Sequence, residues 1–488
     1  LGATADRQPE LRQRRHRCDT AESQGFWDGD SSFVVRAMFP MIGTWTWQTT
    51  PSSGDSGLTQ RGTVQVRVGT GTALQTNGAL TVSSDGHNLT YADGSPFFWL
   101  GDTVWDAPLR ATESEWQQYL RDRTSKGFSV VQISLAPTWS ATSDVQGQRP
   151  FVNDDLHQPN PAFWQSFDRK IQQANDAGLA VLVVGLMDPL DQGQGDYAAA
   201  QAIGRYLAAR LAGNHVIFSP SFDQPYWDIA DATANAIREV APNHLITQHP
   251  GTPSGQPTNV WSEQYFAQPY LNIAGLQSGH NGGDRNLVFG QAVNWSRSLA
   301  NRQPAKPVIN LEAYYDTDGL VLDGGGAHQG TAWDSRAPAY LSLLSGASGY
   351  TYGAYGTYIW NGKPFHPIPW QTALNFDSSR QMSILRQTVT SLPWWQLRPA
   401  PERVVTQTGD PTSQAVMAIT SDGTAGMVYL PSTLPVQIDM GGFQRTLQAT
   451  WVNPVTGART AIGRVSNGGS RTITPPAGGT DWVLIFSN

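Results

Sequence analysis

The chain has 488 residues, of which 15 % are charged, and a formal net charge of -7. That length exceeds one ordinary domain, so we expect two or three. The acidic balance argues against nucleic acid as a partner and against an anionic membrane surface. No segment approaches the roughly 20 consecutive apolar residues of a membrane span, so we expect no membrane insertion. The single cysteine, Cys18, excludes an intrachain disulfide framework and argues against a thiolate metal site.

The beginning of the chain changes character near Gly25. Residues 1–24 are polar and lack periodicity, which predicts a disordered leader. Residues 25–84 contain short alternating runs such as SFVVRAMFP and TVQVRVG, separated by Gly, Ser, Asp and Pro. Short strands at this spacing are typical of a small β-sandwich, which we expect as an N-terminal domain.

Residues 85–400 alternate between apolar β-like runs and amphipathic helices about eight times. An early helix of the series begins with a capping box formed by Thr112 and Glu115. Continuous apolar strand runs between helices indicate a parallel sheet buried on both faces. Eight such units favour a closed (β/α)₈ TIM barrel, and therefore the α/β class. Residues 401–488 return to short strands separated by turns, which predicts a C-terminal β-sandwich.

Several common catalytic signatures do not occur in the sequence. It contains no GxSxG elbow, no HExxH helix and no P-loop, and Gly69-Thr70-Gly71 lacks the third glycine of a dinucleotide fingerprint. The nine histidines show no metal-ligand spacing. The sequence therefore gives no reason to expect a metal or an organic cofactor, and carboxylate chemistry remains.

Two carboxylates close apolar runs inside the predicted barrel. Asp223 ends HVIFSPSFD after the fourth strand, and Glu312 lies in KPVINLEAYYD at the seventh. A parallel barrel collects reactive side chains at the C-terminal ends of its strands. Cleavage of a glycosidic bond needs such a pair, since one acid protonates the leaving oxygen while the other attacks the anomeric carbon or activates water. The residues alone leave the stereochemistry open, and also leave open a helix cap for Asp223 and a buried hydrogen-bond network for Glu312.

Further polar and aromatic side chains follow predicted strands and are expected to bind substrate at the same opening: Asp102, Trp105, Gln132, Trp139, His249, Gln277, His280, Tyr352 and Trp360. Each has a structural alternative, which is bracing of the barrel for Asp102 and core packing for at least half of the aromatic rings. Glu263 is the rival acid, but it lies in the long segment after the fifth strand and not at a strand end.

Four separated segments carry a resemblance to a known family: PFFWLGDTVWDAPLRATESEWQQYLRDRTSKGFSVVQ, LQSGH, KPVINLEAYYD and RAPAYLSLLSGASGYTYGAYGTYIW. In this order they resemble the apiosidase-like glycoside hydrolases, across about residues 90–395. The region before them resembles the β-sandwich that often precedes such barrels. The stretch after them, with ATWVNPVTGA and DWVLIF, resembles the small β-domain that follows such barrels and carries a collagen-binding label.

The resemblance implies roles for the two acids. The acid/base aspartate of the family falls on Asp223 and its nucleophilic glutamate on Glu312, which implies a retaining mechanism. The family commonly has Gly-Gly-Asp at the fourth strand, whereas this chain has Ser221-Phe222-Asp223. The family's characterised activity implies pectin-type side chains as the substrate, such as those of apiose-containing rhamnogalacturonan II.

We therefore predict a secreted or periplasmic glycoside hydrolase that acts as a monomer on a plant or microbial polysaccharide. Two alternatives stay open at this point. Phe222 keeps open a non-catalytic carbohydrate-binding or adhesion protein with a degenerate barrel. A transglycosylase would use the same two acids with a sugar in place of water.

Overall fold

The structure is a computed structural model that describes residues 2–6, 20–39, 41–52, 54–135, 143–185, 197–220, 222–223, 227–251, 265–279, 283–318, 320–323 and 326–488. Within these ranges, no helix is both long and apolar enough to cross a membrane.

Short antiparallel strands form the N-terminal region. With one helical turn, they are β1 (Gly2–Asp6), β2 (Thr20–Glu22), β3 (Gly25–Trp27), β4 (Phe33–Val35), β5 (Gly43–Gln48), β6 (Arg61–Val66), α1 (Ala73–Thr76), β7 (Leu80–Val82), β8 (Leu89–Tyr91) and β9 (Pro96–Phe97). The strands form a sheet in the order β2-β1-β5-β6, a hairpin of β3 and β4, and a sheet β7-β8-β9. Trp45 on β5 is fully buried and donates from Nε1 to the carbonyl of Met41.

Of the expected disordered leader, residues 1–24, the structure describes residues 2–6 and 20–24, which contain two short strands. β1 pairs antiparallel with β5, and β2 pairs antiparallel with β1. The main-chain hydrogen bonds of such a ladder need no hydrophobic pattern, because every residue except proline carries a donor and an acceptor. A prediction based on periodicity therefore misses this pairing.

Strands and helices alternate through the central region. They are β10 (Trp99–Thr103), α2 (Ala107–Arg110), α3 (Glu113–Ser125), β11 (Val130–Ser134), α4 (Pro161–Asp176), β12 (Ala180–Val184), α5 (Tyr197–Leu211), β13 (Val216–Phe218), β14 (Phe222–Asp223), α6 (Trp227–Val240), β15 (His249–Pro250), β16 (Ala274–Gln277), α7 (Arg285–Ala300), β17 (Val308–Glu312), β18 (Leu320–Asp323), β19 (Gly326–Gln329), α8 (Ala332–Leu344), β20 (Gly349–Tyr352), β21 (Gly362–Lys363), β22 (His366–Pro367), α9 (Trp370–Leu374) and α10 (Asp377–Val389).

The central strands close into a barrel. Parallel pairing gives the order β13-β12-β11-β10-β20-β17-β16. The segment that leads into β15 fills the gap between the two outer strands. On one side Ile246 bridges in parallel to Phe218, and on the other the main chain of Asn272 donates to the carbonyl of Ile246. The predicted (β/α)₈ class is confirmed.

Alternation along the strands gives the barrel two apolar faces. Trp99, Leu182 and Ile309 belong to the cluster that fills the interior, whereas Val131 and Val183 belong to the larger cluster under the helices. Successive residues of a strand point to opposite faces, so the direction of each side chain near the barrel opening follows from this register.

The C-terminal region is a β-domain. Its strands are β23 (Leu397–Pro399), β24 (Val416–Thr420), β25 (Gly426–Leu430), β26 (Val436–Asp439), β27 (Leu447–Val452), β28 (Arg459–Val465), β29 (Ser470–Ile473) and β30 (Trp482–Ser487). One antiparallel sheet has the order β23-β24-β25-β30-β27-β28, and β26 pairs with β29. Short 3₁₀ helices complete the described elements: Ser56–Leu58, Val152–Asp154, Trp394–Gln396, Pro401–Arg403 and Met440–Gly442.

The C-terminal domain contacts helix α8 of the barrel. Arg336 on α8 donates from Nε and Nη2 to the two carboxylate oxygens of Asp481, at 2.9 and 2.5 Å, and both side chains are buried. Tyr429 donates to the same carboxylate and stacks on Tyr340, with ring centroids 4.8 Å apart. This buried bidentate ion pair fixes the domain against the barrel.

Candidate active site

Asp223 and His249 come from neighbouring strand ends. β14 and β15 run parallel, with Phe222 opposite His249 and Asp223 opposite Pro250. Asp223 has a φ of 54°, which is the left-handed region that non-glycine residues seldom adopt but that aspartate tolerates better than most. Strained backbone of this kind clusters at functional sites. The unusual backbone angle therefore makes Asp223 a candidate functional residue.

His249 lies between Asp223 and Glu312. Its Nδ1 is 3.5 Å from Oδ1 of Asp223, and its Nε2 is 3.3 Å from Oε2 of Glu312. The imidazole is fully buried and the Glu312 side chain is 7 % exposed, whereas the Asp223 side chain is 38 % exposed. The structure thus brings together three residues that the sequence separates by up to 89 positions.

The two carboxylates set the charge of His249. Burial lowers the pKa of this histidine, but the adjacent Asp223 and Glu312 raise the pKa overall, to about 9. The ring is therefore an imidazolium at neutral pH, and both of its nitrogens are donors.

A tyrosine pair lies beside Glu312. Tyr315 is buried, and burial together with the charge of Glu312 raises its pKa well above the usual value. Its ring packs on Tyr358 at 4.5 Å, and the Tyr358 hydroxyl donates to Asp318 at 2.8 Å. Sequence reasoning missed both tyrosines. The signal for Tyr315 was its position in EAYYD, directly after the strand that ends at Glu312, whereas Tyr358 lies in GTYIW, far along the sequence.

Aromatic rings form one wall next to His249. Trp105 contacts Phe222 edge-to-face at 4.8 Å and His249 at 5.3 Å, and Phe222 packs on His249 at 5.2 Å. Trp105 was predicted to lie at the opening, and it belongs to the interior cluster of the barrel. Phe222, the departure from the family pattern, supports the histidine between the acids.

Two glutamines lie close to the acids. Gln132 points into the barrel and donates from Nε2 to Thr103 Oγ1 at 3.3 Å and to the carbonyl of Leu311 at 3.1 Å. Gln277 ends β16 and is in register with Glu312 on the neighbouring strand. Contact with substrate stays a prediction for each.

Asp102 and Tyr352 point away from the opening. Asp102 is fully buried and accepts hydrogen bonds from Tyr119 at 2.6 Å and Arg123 at 2.5 Å, both on α3. Burial raises the pKa of Asp102, and Arg123 and Tyr119 counteract that rise. Tyr352 bonds to Ser378 on α10. Successive side chains of a strand point to opposite faces of the sheet. The residues next to Asp102 and Tyr352 in their strands face the barrel interior, so Asp102 and Tyr352 themselves point outward. Bracing of the barrel, the structural alternative for Asp102, fits these contacts.

Trp360 is also fully buried, away from the acids. It stacks on Trp370 at 4.7 Å, and its backbone N–H donates to Asp106. These contacts fit core packing and not a sugar platform. The remaining candidates, Trp139, His280 and the rival acid Glu263, lie outside the described residues. Across the described part of the chain, no group of three His, Cys, Asp or Glu side chains has the arrangement of a metal site.

A parallel barrel of seven strands, closed by the segment before β15 and with two carboxylates at its C-terminal opening, is typical of the barrel class of glycosidases. Known families agree with this class. The family model described as "Apiosidase-like, catalytic domain" matches residues 83–396, which is more than half of the chain. The chain belongs to the apiosidase-like family and is a glycoside hydrolase. A second model, described as "Putative collagen-binding domain of a collagenase", matches residues 399–487.

Solved structures share this architecture. A protein named only as a glycoside hydrolase is 26 % identical with a TM-score of 0.74, and the match covers 84 % of this chain and 97 % of the other. A glycoside hydrolase family 5 protein from Bacteroides vulgatus is 24 % identical with a TM-score of 0.74, and that match covers 84 % and 94 % of the two chains. No curated protein matches the chain significantly.

Proposed function

We propose that the protein hydrolyses glycosidic bonds with retention of the anomeric configuration, with Asp223 as the acid/base and Glu312 as the nucleophile. The proposal rests on the contacts that both carboxylates make with His249 at the barrel opening. A gap spanned by one imidazole ring is compatible with carboxyl separations of about 5–5.5 Å for retention or about 6.5–9.5 Å for inversion. We favour retention because the family resemblance gives the glutamate a nucleophilic role.

The surroundings of the two acids suit different roles. Glu312 is nearly buried and faces an imidazolium, which favours its ionised, nucleophilic form. Asp223 faces the same imidazolium, but at 3.5 Å and with 38 % of its side chain exposed, so the cation favours its ionised form less strongly. Its exposure lets it reach the leaving group and later an incoming water. Two acids in unlike environments are the usual basis for separate roles in glycosidases.

The chemistry takes two displacements. In the first, a carboxylate oxygen of Glu312 bonds to the anomeric carbon while the bond to the leaving oxygen breaks, and Asp223 gives its proton to that oxygen. In the second, Asp223 takes a proton from water, and the water oxygen bonds to the anomeric carbon as the ester bond to Glu312 breaks. Asp223 is then protonated and Glu312 ionised, as at the start.

The substrate we propose is a pectin-type side chain, such as one that contains apiose in rhamnogalacturonan II. The family description supports this class, and the rings of Trp105 and Phe222 offer apolar surface to a sugar. Such polysaccharides are found outside the cell, so we propose a secreted or periplasmic enzyme that works as a monomer. The C-terminal domain, held by Arg336 and Asp481, is proposed to brace the barrel.

Sugar release from a panel of pectic, arabinan and rhamnogalacturonan II fragments tests this function. Glu312→Gln and Asp223→Asn are expected to lower turnover by about 10²–10⁴-fold or more, because each removes one member of the pair. Asp377→Asn is the matched control, since it changes an exposed carboxylate, 75 % accessible, at the start of α10. Activity near wild type in either site variant rules out the assigned roles, and binding without product from any fragment counts against hydrolysis.

A further inference from the structure

The two displacements of the proposed mechanism give His249 no step of its own, although it contacts both acids. Its Nδ1 faces Asp223 and its Nε2 faces Glu312, so a single ring joins the two acids. The ring is fully buried, and Trp105 and Phe222 pack against it at 5.3 and 5.2 Å. These two rings support the orientation that directs one nitrogen to each carboxylate.

Among the residues that the structure describes, the charges that face His249 come from two strands. Asp223 reaches the ring from β14 and Glu312 from β17, whereas Trp105 and Phe222 present uncharged rings. Tyr315 adds a hydroxyl beside Glu312. A buried cation is costly unless opposite charges compensate it, and here two carboxylates do so. The imidazolium therefore has one N–H on the side of each acid, at contact distances of 3.5 and 3.3 Å.

The reaction moves one negative charge between the acids. Before glycosyl transfer Asp223 is protonated and Glu312 is ionised; afterwards Glu312 is an ester and Asp223 is ionised. The pair carries one negative charge in both states. Relative to His249, that charge changes from the Nε2 side to the Nδ1 side.

We propose that His249 is a positioning residue whose fixed positive charge balances this moving negative charge, through Nε2 to Glu312 in the first step and through Nδ1 to Asp223 in the second. The inference rests on the proposed roles of the two acids. The imidazolium keeps both protons, and no bond to it forms or breaks. Because a preorganised charge needs no rearrangement when the negative charge moves, both half-reactions are stabilised.

Phe222 belongs to the same arrangement. Its ring packs on the imidazole of His249 and on Trp105. The family pattern has glycine at this position, and glycine has no side chain to make these contacts. In this chain the histidine is therefore supported by an additional aromatic ring. The departure at Phe222 therefore adds a packing contact to His249.

Kinetics of His249→Asn test the proposal, because asparagine keeps an amide donor but no charge. We expect kcat to fall by about 10²-fold or more, with a smaller change in KM. Without the cation both carboxylates bind protons more tightly, so the acid limb of the pH profile is expected to move to higher pH by about 1 unit or more. His244→Asn is the control, since Nε2 of His244 lies 3.1 Å from the carbonyl of Asn214 and not beside an acid.

The kinetic outcomes separate a charge role from a packing role. A reduced kcat together with a displaced acid limb supports the proposal. A reduced kcat with an unmoved acid limb means that the ring only fills space, and an unchanged kcat removes it from the mechanism. Either of these two results overturns the proposal.

Histidine NMR on the unliganded enzyme gives a readout that needs no turnover. The signal of His249 is identified by its disappearance in His249→Asn. We expect it to titrate well above the ordinary value of about 6.5, and its pKa to fall by about 1 unit or more in Asp223→Asn and in Glu312→Gln. Titration near the ordinary value overturns the inference. Full activity of Asp223→Asn or Glu312→Gln instead overturns the proposed function, so the two failures are distinguishable.

Discussion

Replacing His249 by asparagine is expected to remove a pH-dependent part of the protein's stability. The pKa of His249 rises from 6.5 to about 9 on folding, because Asp223 and Glu312 outweigh the effect of burial. A raised pKa means that the folded state binds the proton more tightly than the unfolded state. The stabilisation is then fully present below about pH 6.5 and is lost as the pH rises through about 9.

The size of the effect follows from the pKa shift. Each unit corresponds to about 1.4 kcal/mol, so the shift of His249 amounts to about 3 kcal/mol of unfolding free energy. The loss is expected between pH 6 and pH 10. Lysines and tyrosines also titrate in this range, but they are common to wild type and variant and cancel in the difference.

Urea unfolding, followed by tryptophan fluorescence, measures this difference at pH 6 and pH 10. The wild type is expected to lose about 3 kcal/mol more than His249→Asn over that interval. His244→Asn controls for the removal of a histidine, since burial lowers the pKa of His244 to about 4 and the folded protein carries no charge there. Its shift has the opposite sign, so the wild type is expected to lose slightly less than His244→Asn over the interval, by less than about 1 kcal/mol. Equal pH dependence in wild type and His249→Asn would refute the charge assignment.

Two further predictions concern buried ion pairs outside the site. Asp102→Asn is expected to destabilise the protein by up to about 3–5 kcal/mol in urea unfolding, because the buried Arg123 loses Asp102 and keeps only Asp122 as an ion-pair partner, while kcat of the folded enzyme is retained. A selective loss of kcat without loss of stability would instead return Asp102 to the substrate site. Asp481→Asn is expected to destabilise by a similar amount, because Arg336 and Tyr429 both bond to this carboxylate. Unchanged unfolding of the barrel in that variant would mean that the C-terminal domain does not brace it.

The barrel was predictable because local and global signals agree. The capping box appears as expected, with the Thr112 N–H donating to Glu115 at 2.8 Å and the Glu115 N–H donating back at 3.3 Å. The apolar pattern also predicts helices around residues 197–213 and 286–300, and α5 and α7 lie there. The spacing of apolar residues predicts these elements, because a helix or strand that is buried on one side must have an apolar residue at each turn or at every second position.

The positions of the two acids were predictable from the strand ends, but the contacts of some neighbouring side chains were not. Asp223 and Glu312 follow apolar runs, and a parallel barrel gathers such positions at one opening. Alternation within WLGDT would have directed Asp102 outward, since Gly101 and Thr103 lie on the inner side. The contact of His249 with both acids depends on how the fifth strand closes the barrel, and no local pattern encodes that distance.

Trapping the glycosyl-enzyme tests the central claim most directly. An activated glycoside with fluorine at C2 of the sugar destabilises the oxocarbenium-like transition states, so the covalent intermediate accumulates when its hydrolysis slows more than its formation. Peptide mass spectrometry of the wild-type enzyme is expected to find the added sugar on Glu312, and Asp223→Asn is expected to accumulate the same adduct from an activated substrate. A sugar on another carboxylate, or no adduct while the parent glycoside is hydrolysed, would contradict the assignment of Glu312 as the nucleophile.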